Sequence, residues 1–133
     1  MRITEDHIGE VTSITLSGRL GGWRAAVAVD DCFRRQVRAS NVRTVIVDLG
    51  DVPAVDSVGI DALIRAAQLL RYAGAEMRIA GLTRRIRDVV VITRLAMLCD
   101  TFETVADAID GAVHVTANVV DAVPQAGVYT VQA

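Results

Sequence analysis

Residues 44–72 read TVIVDLGDVPAVDSVGIDALIRAAQLLRY, and they decide the fold. Val45 to Leu49 is apolar without alternation until Asp48, the pattern of a central strand buried on both faces. Gly50 to Val55, with Pro53, reads as the loop that follows. From Ser57 onward Ile60, Leu63, Ile64, Ala67 and Leu70 fall on one helical stripe, with Asp61, Arg65 and Gln68 outside it. Gly74 is placed to end that helix in the left-handed conformation. Asp56 or Ser57 caps the helix start, a role worth about 1 kcal/mol. The Ser57 hydroxyl sits where free N–H groups and the positive end of the helix dipole favour an anion or a phosphate.

Working outward, Val11 to Ser17 alternates apolar and polar, as a half-buried strand does, and Ile3 to Ile8 is its short partner across Gly9 and Glu10. Gly18 to Gly22 reads as a loop. Trp23 to Val37 places Ala26, Val27, Val29, Phe33 and Val37 near one helical face, and Asp30 one turn before Arg34 makes a favourable pair. Ser40 and Asn41 break this helix. Met77 to Gly81 is another short strand, and Thr83 is placed to N-cap the next helix. Asp88 to Thr93 is β-branched and alone would read as a strand. Ile86, Val89, Val90 and Thr93 nevertheless keep helical spacing, and the arginines around them argue for a helix with a solvated face. Phe102 belongs to a short final strand and Val105 to Ala112 to a last helix. Strands alternating with helices predict an α/β layer fold.

Residues 113–133 stand apart as a C-terminal extension. Val113 to Val119 alternates strictly, which is a strand pattern, and Val123 to Ala133 has no charged side chain. An unpaired strand there would seek an edge, within the chain or in a second copy as a homodimer.

Composition narrows the function classes. The 133 residues suit one domain, and 52% of them are hydrophobic while only 4% are aromatic, so Val, Ile, Leu and Ala must fill the core. All fourteen basic residues are arginine, and the net charge of −2 offers no general attraction to nucleic acid or anionic lipid. The N-terminus has acids where a signal peptide would be apolar, and no apolar run is long enough to span a bilayer, so the expected compartment is the cytoplasm. Cys32 and Cys99 form no C-x-x-C pair and are expected as free thiols. Neither His7 nor His114 belongs to a metal-ligand or catalytic pattern, so no metal, cofactor or enzymatic activity is expected. Asp48 at a strand end suggests a phospho-receiver domain. That chemistry needs a lysine and an acidic pair for magnesium, and the chain has no lysine at all.

Val45 to Leu82 resembles the STAS domain family, most closely the anti-sigma factor antagonists. The matching elements are the apolar strand ending in Asp48-Leu49, the run Asp56-Ser57-Val58-Gly59, an Ala- and Leu-rich helix, the Gly74 stop, an apolar strand and the Gly81-Leu82 turn. Similarity extends back to Leu16-Ser17-Gly18-Arg19-Leu20 and forward to Ile109. The resemblance implies a mixed β-sheet of four to five strands with about four helices packed mainly on one face. It implies that Ser57 is phosphorylated by a partner that is both anti-sigma factor and serine-protein kinase. The unphosphorylated protein would bind that partner and free a sigma factor, and the phosphorylated form would let go. The implied contact surface comprises Gly21, Gly22, Trp23, Asp56, Val58, Gly59, Asp61 and Thr83. Two non-phosphorylated roles belong to the same family: a subunit of a lipid-transport ABC system, and a scaffold in a stress-sensing complex. Three residues depart from the family's habit. Gly21 stands where an aspartate is common, Arg94 where glycine is common, and Val58 where a small residue is common.

Overall fold

The computed structural model describes residues 1–39 and 42–117. Strands β1 (Arg2–Ile8) and β2 (Val11–Ser17) form a hairpin. Its two-residue turn has Gly9 at φ 60°, a value that glycine adopts without strain. Helix α1 (Gly22–Arg38), strand β3 (Thr44–Asp51), helix α2 (Ser57–Tyr72) and strand β4 (Glu76–Ala80) follow. Then come α3 (Arg84–Val91), α4 (Leu95–Leu98), β5 (Asp100–Phe102) and α5 (Val105–Ala117). The five strands lie in the order β1-β2-β3-β4-β5; β1 is antiparallel to β2, and all later neighbours are parallel.

That sequential order fixes where the helices go. Parallel crossovers share one hand, so the connections β2–β3, β3–β4 and β4–β5 lay α1, α2 and the α3–α4 pair on the same face. Val45, Val47 and Leu49 of β3 are fully buried in the large cluster with Val29, Phe33, Leu63 and Leu70. Ile46 points to the other face, where it meets Ala80, Ala108 and Ile109 under α5. Burial on both faces is why this strand lacks alternation. The expected mixed sheet with helices mainly on one face is therefore present, and among the described residues α5 is the helix on the reverse side.

The structure extends and corrects the sequence reading in several places. Helix α3 forms despite its β-branched content, because Ile86 and Val90 turn inward on helical spacing while Arg84, Arg85 and Arg87 stay exposed. The short α4 was not expected; Arg94, in the helical region at φ −62°, starts it. Asp30 pairs with Arg65 of α2 at 3.4 Å, across the packed α1–α2 interface, and not with Arg34. The alternating run from Val113 is not a strand over its first five residues, because α5 continues to Ala117. A helix already nucleated at Val105 propagates at one hydrogen bond per residue, which outweighs the β preference of two valines. The rest of that run, the remaining extension and the break at Ser40 and Asn41 lie outside the described residues.

One feature had no sequence signal. Arg78 sits on β4 beside Ile46 and is only 2% exposed. Its guanidinium donates to the Ala108 carbonyl at 3.3 Å, pairs with Glu76 at 3.1 Å and lies 5.3 Å from the centroid of the Phe102 ring. This arginine ties α5 to the sheet through polar bonds where apolar burial is thin.

Candidate functional site

The C-terminal ends of β2, β3 and β4 share one edge of the sheet, as parallel strands must, and their loops meet there. Leu20 and Val55 form an isolated parallel bridge between the first two loops. The Leu20 N–H donates to Ala54 at 3.0 Å, and the Asp56 N–H donates to the Leu20 carbonyl at 3.2 Å. The start of α2 is thus stitched to the segment that leads into α1.

Asp56 is the N-cap of α2. Its Oδ1 accepts from the Gly59 N–H at 2.8 Å. Its Oδ2 accepts from the Gly22 N–H at 3.0 Å and from Arg19 Nη2 at 3.3 Å. One carboxylate therefore caps both helices. The Gly59 N–H does most to hold this carboxyl below the usual carboxylate range; partial burial opposes it, and Gly22, Arg19 and Val58 act in the same direction as Gly59.

Two glycines permit this arrangement. A Cβ on Gly59 would collide with the Leu20 carbonyl. A Cβ on Gly21 would lie 2.6 Å from Asp56 Oδ2 and 3.1 Å from the Arg19 guanidinium carbon. Gly21 itself is extended, at φ −162°, so bare space and not backbone freedom is what glycine supplies there.

Ser57, the first residue of α2, is exposed. Val58 is 41% exposed beside it, and Trp23, the second residue of α1, is 68% exposed with the Arg24 guanidinium 5.5 Å from its ring centroid. Asp61 is exposed one turn further along α2. Gly21, Gly22, Asp56 and Gly59 are thus directly engaged with one another or with Leu20, while Ser57, Val58, Trp23 and Asp61 present exposed side chains. Thr83 belongs to a neighbouring cluster. It caps α3 by accepting from Ile86 at 3.4 Å and shares an open groove with Gly50, Val52, Pro53 and Arg85. Arg19 was missed by sequence reasoning, since nothing in a loop arginine announces a partner 37 residues away.

Asp48 occupies a separate niche on the α5 face. It accepts from the Gly50 N–H at 2.9 Å and packs against the bare Cα of Gly81, at φ 73°. Burial raises its pKa, the Gly50 bond opposes the rise, and Asp51 adds to it. Among the described residues no three His, Cys, Asp or Glu side chains gather as a metal site, and no helix is long and apolar enough to cross a membrane.

A profile of the STAS domain family matches residues 3–108. The chain belongs to the STAS domain family. Solved structures with this STAS fold include the Bacillus cell fate determinant SpoIIAA in its phosphorylated form. It is 18% identical, with a TM-score of 0.66 over 84% of this chain and 99% of that one. An anti-sigma-factor antagonist domain protein from Planctomyces limnophilus is 17% identical, with a TM-score of 0.68 over 82% and 95%. The STAS fold also recurs inside a much larger protein, the murine anion transporter Slc26a9. There the identity is 21% and the TM-score 0.63, over 80% of this chain but 18% of the transporter. A comparison with curated protein sequences finds no match. At these identities the structural likeness establishes the STAS fold and leaves the function to be argued from the site.

Proposed function

We propose that this STAS domain is an anti-sigma factor antagonist switched by phosphorylation at Ser57. In this reading the unmodified protein binds an anti-sigma factor that is also a serine kinase, and a sigma factor is released. The observation that carries the reading is the state of Ser57. Its side chain is exposed at a helix start, while the adjacent carboxylate is occupied by Gly59, Gly22 and Arg19. Asp56 therefore organises the site and Ser57 is left to react. Transfer from ATP forms the Oγ–P bond, breaks the γ-phosphoryl bond to ADP and releases the hydroxyl proton.

The switch is electrostatic. A phosphate adds about −1.5 to −2 charges and three acceptor oxygens. Within the free protein, the N–H groups of the first turn of α2 tolerate that charge. A partner surface pressed onto Ser57, Val58 and Trp23 would strip water from it with Asp56 and Asp61 close by, and would be expelled. Gly21, Gly22, Gly59 and Thr83 complete the contact surface by shaping its floor and rim.

The test is direct. A cognate anti-sigma kinase with ATP adds one phosphate to the wild type and none to Ser57→Ala. Calorimetry then shows tight binding for the unmodified protein and for Ser57→Ala, and at least tenfold weaker binding for the phosphoprotein. Equal phosphorylation of both proteins would remove Ser57 as the target. Binding to an ATPase subunit without any phosphate transfer would favour the transport role instead.

A further inference from the structure

We infer that Arg19 is the built-in counter-charge for a phosphate on Ser57, exchanging the Asp56 carboxylate for the phosphoryl oxygens when that group arrives. The inference rests on the phosphorylation reading above and adds a residue to it. Three observations support it. First, Arg19 reaches the Asp56 carboxylate, one residue before Ser57, through a single bond of 3.3 Å. Second, Asp56 does not depend on that bond, because its two oxygens also accept from Gly59 and Gly22 at 2.8 and 3.0 Å. Third, the Arg19 side chain is 65% exposed, so the guanidinium is free to swing.

The energetics favour exchange. An exposed ion pair with one bond contributes little, whereas a guanidinium facing a phosphate makes paired, charge-assisted hydrogen bonds. Gly21 supplies the path. The guanidinium carbon and the carboxylate both lie against the space that a Cβ at 21 would fill, so any side chain there would crowd the path by which Arg19 reaches the α2 start. The charged groups on the surrounding elements are Asp56 and Asp61 on the α2 side, Arg19 and Arg24 on the α1 side, and Asp51 and Arg85 in the neighbouring groove. Arg24 lies over the Trp23 ring, and among the described residues it is Arg19 that pairs with Asp56.

The experiment places phosphoserine at position 57 during synthesis of the full chain, so it needs no kinase. Phosphorus NMR then follows the second ionisation of the phosphate in the Arg19, Arg19→Lys and Arg19→Gln proteins. With Arg19 present, the midpoint lies below the ordinary value of about 6. Arg19→Gln raises it by about 0.5–1 pH unit and Arg19→Lys by less. The differences shrink in 1 M salt, at a Debye length of about 3 Å. Unmodified Arg19→Gln melts at the wild-type temperature, which shows that the fold is intact. Equal midpoints in all three phosphoproteins overturn the inference. A kinase that leaves Ser57 untouched would instead remove the antagonist reading, and would not alter this titration.

Discussion

The Asp56 carboxylate and the Gly22 backbone N–H, 34 residues apart in sequence, meet at 3.0 Å and join the starts of α2 and α1. Asp56→Ala removes the acceptor from both helices and should lower the melting temperature more than Asp56→Asn does. Asparagine still caps Gly59 through its carbonyl, but its amide turns a donor toward the Gly22 N–H.

The pH dependence of that difference follows from the sign of the shift. Asp56 has a folded pKa below its unfolded value, chiefly because of the Gly59 N–H. Its stabilisation is fully present above the unfolded value, near pH 4, and is lost as pH falls through the lower folded value. Thermal melts of wild type and Asp56→Asn should therefore differ at pH 7 and converge in strong acid.

Gly59→Ala drives a methyl group into the Leu20 carbonyl, which is held by the Asp56 N–H. Neither side can give without breaking the stitch between the loops. Overpacking of this kind costs about 1–3 kcal/mol, to be read from urea unfolding as a lower midpoint with an unchanged slope.

Gly21→Asp would restore the residue common in the family and should harm this chain. The new side chain meets Asp56 Oδ2 and brings a second carboxylate beside it. Destabilisation relative to wild type should be larger at pH 7 than in strong acid, below the lowered folded value of Asp56, where both carboxyls are neutral. An equal loss of melting temperature in both conditions would show that the loop simply opens.

Cys32 and Cys99 are free and buried, and each thiol is pushed up to about 12, by burial first and then by Glu5 and Asp100 respectively. Both stay protonated at pH 8 and should resist a disulfide reagent in the native state. Two equivalents should react on unfolding in urea. Rapid native labelling would show that α1 and the α4–β5 junction open readily.

Much of the architecture was legible because its signals are local. The unbroken apolar run of β3, the stripe of α2 and the Gly74 stop each depend on a few neighbouring residues, and all three stand in the structure. The D-S-x-G run marked the helix start, with Asp56 as its cap. What stayed hidden is long-range. Arg19 on Asp56, Asp30 on Arg65 and Arg78 under Ala108 are pairings set by topology, which no window of sequence contains. The run at Val113 misled because two-residue alternation says nothing of the helix already under way before it.

The shared edge of the sheet gathers three helix starts. Helices α1, α2 and α3 all begin there, and none has an acidic residue in its first turn. Each start carries about half a positive charge, and the single carboxylate of Asp56 is divided between two of them. Arg19, Arg24, Arg84, Arg85 and Arg87 are exposed on these segments, and so are Asp51, Asp61 and Asp88. Side-chain charges of both signs thus offset one another there, and the three converging helix starts are what leave a positive field at close range. A phosphate on Ser57 would reverse that local field as well as block a contact there.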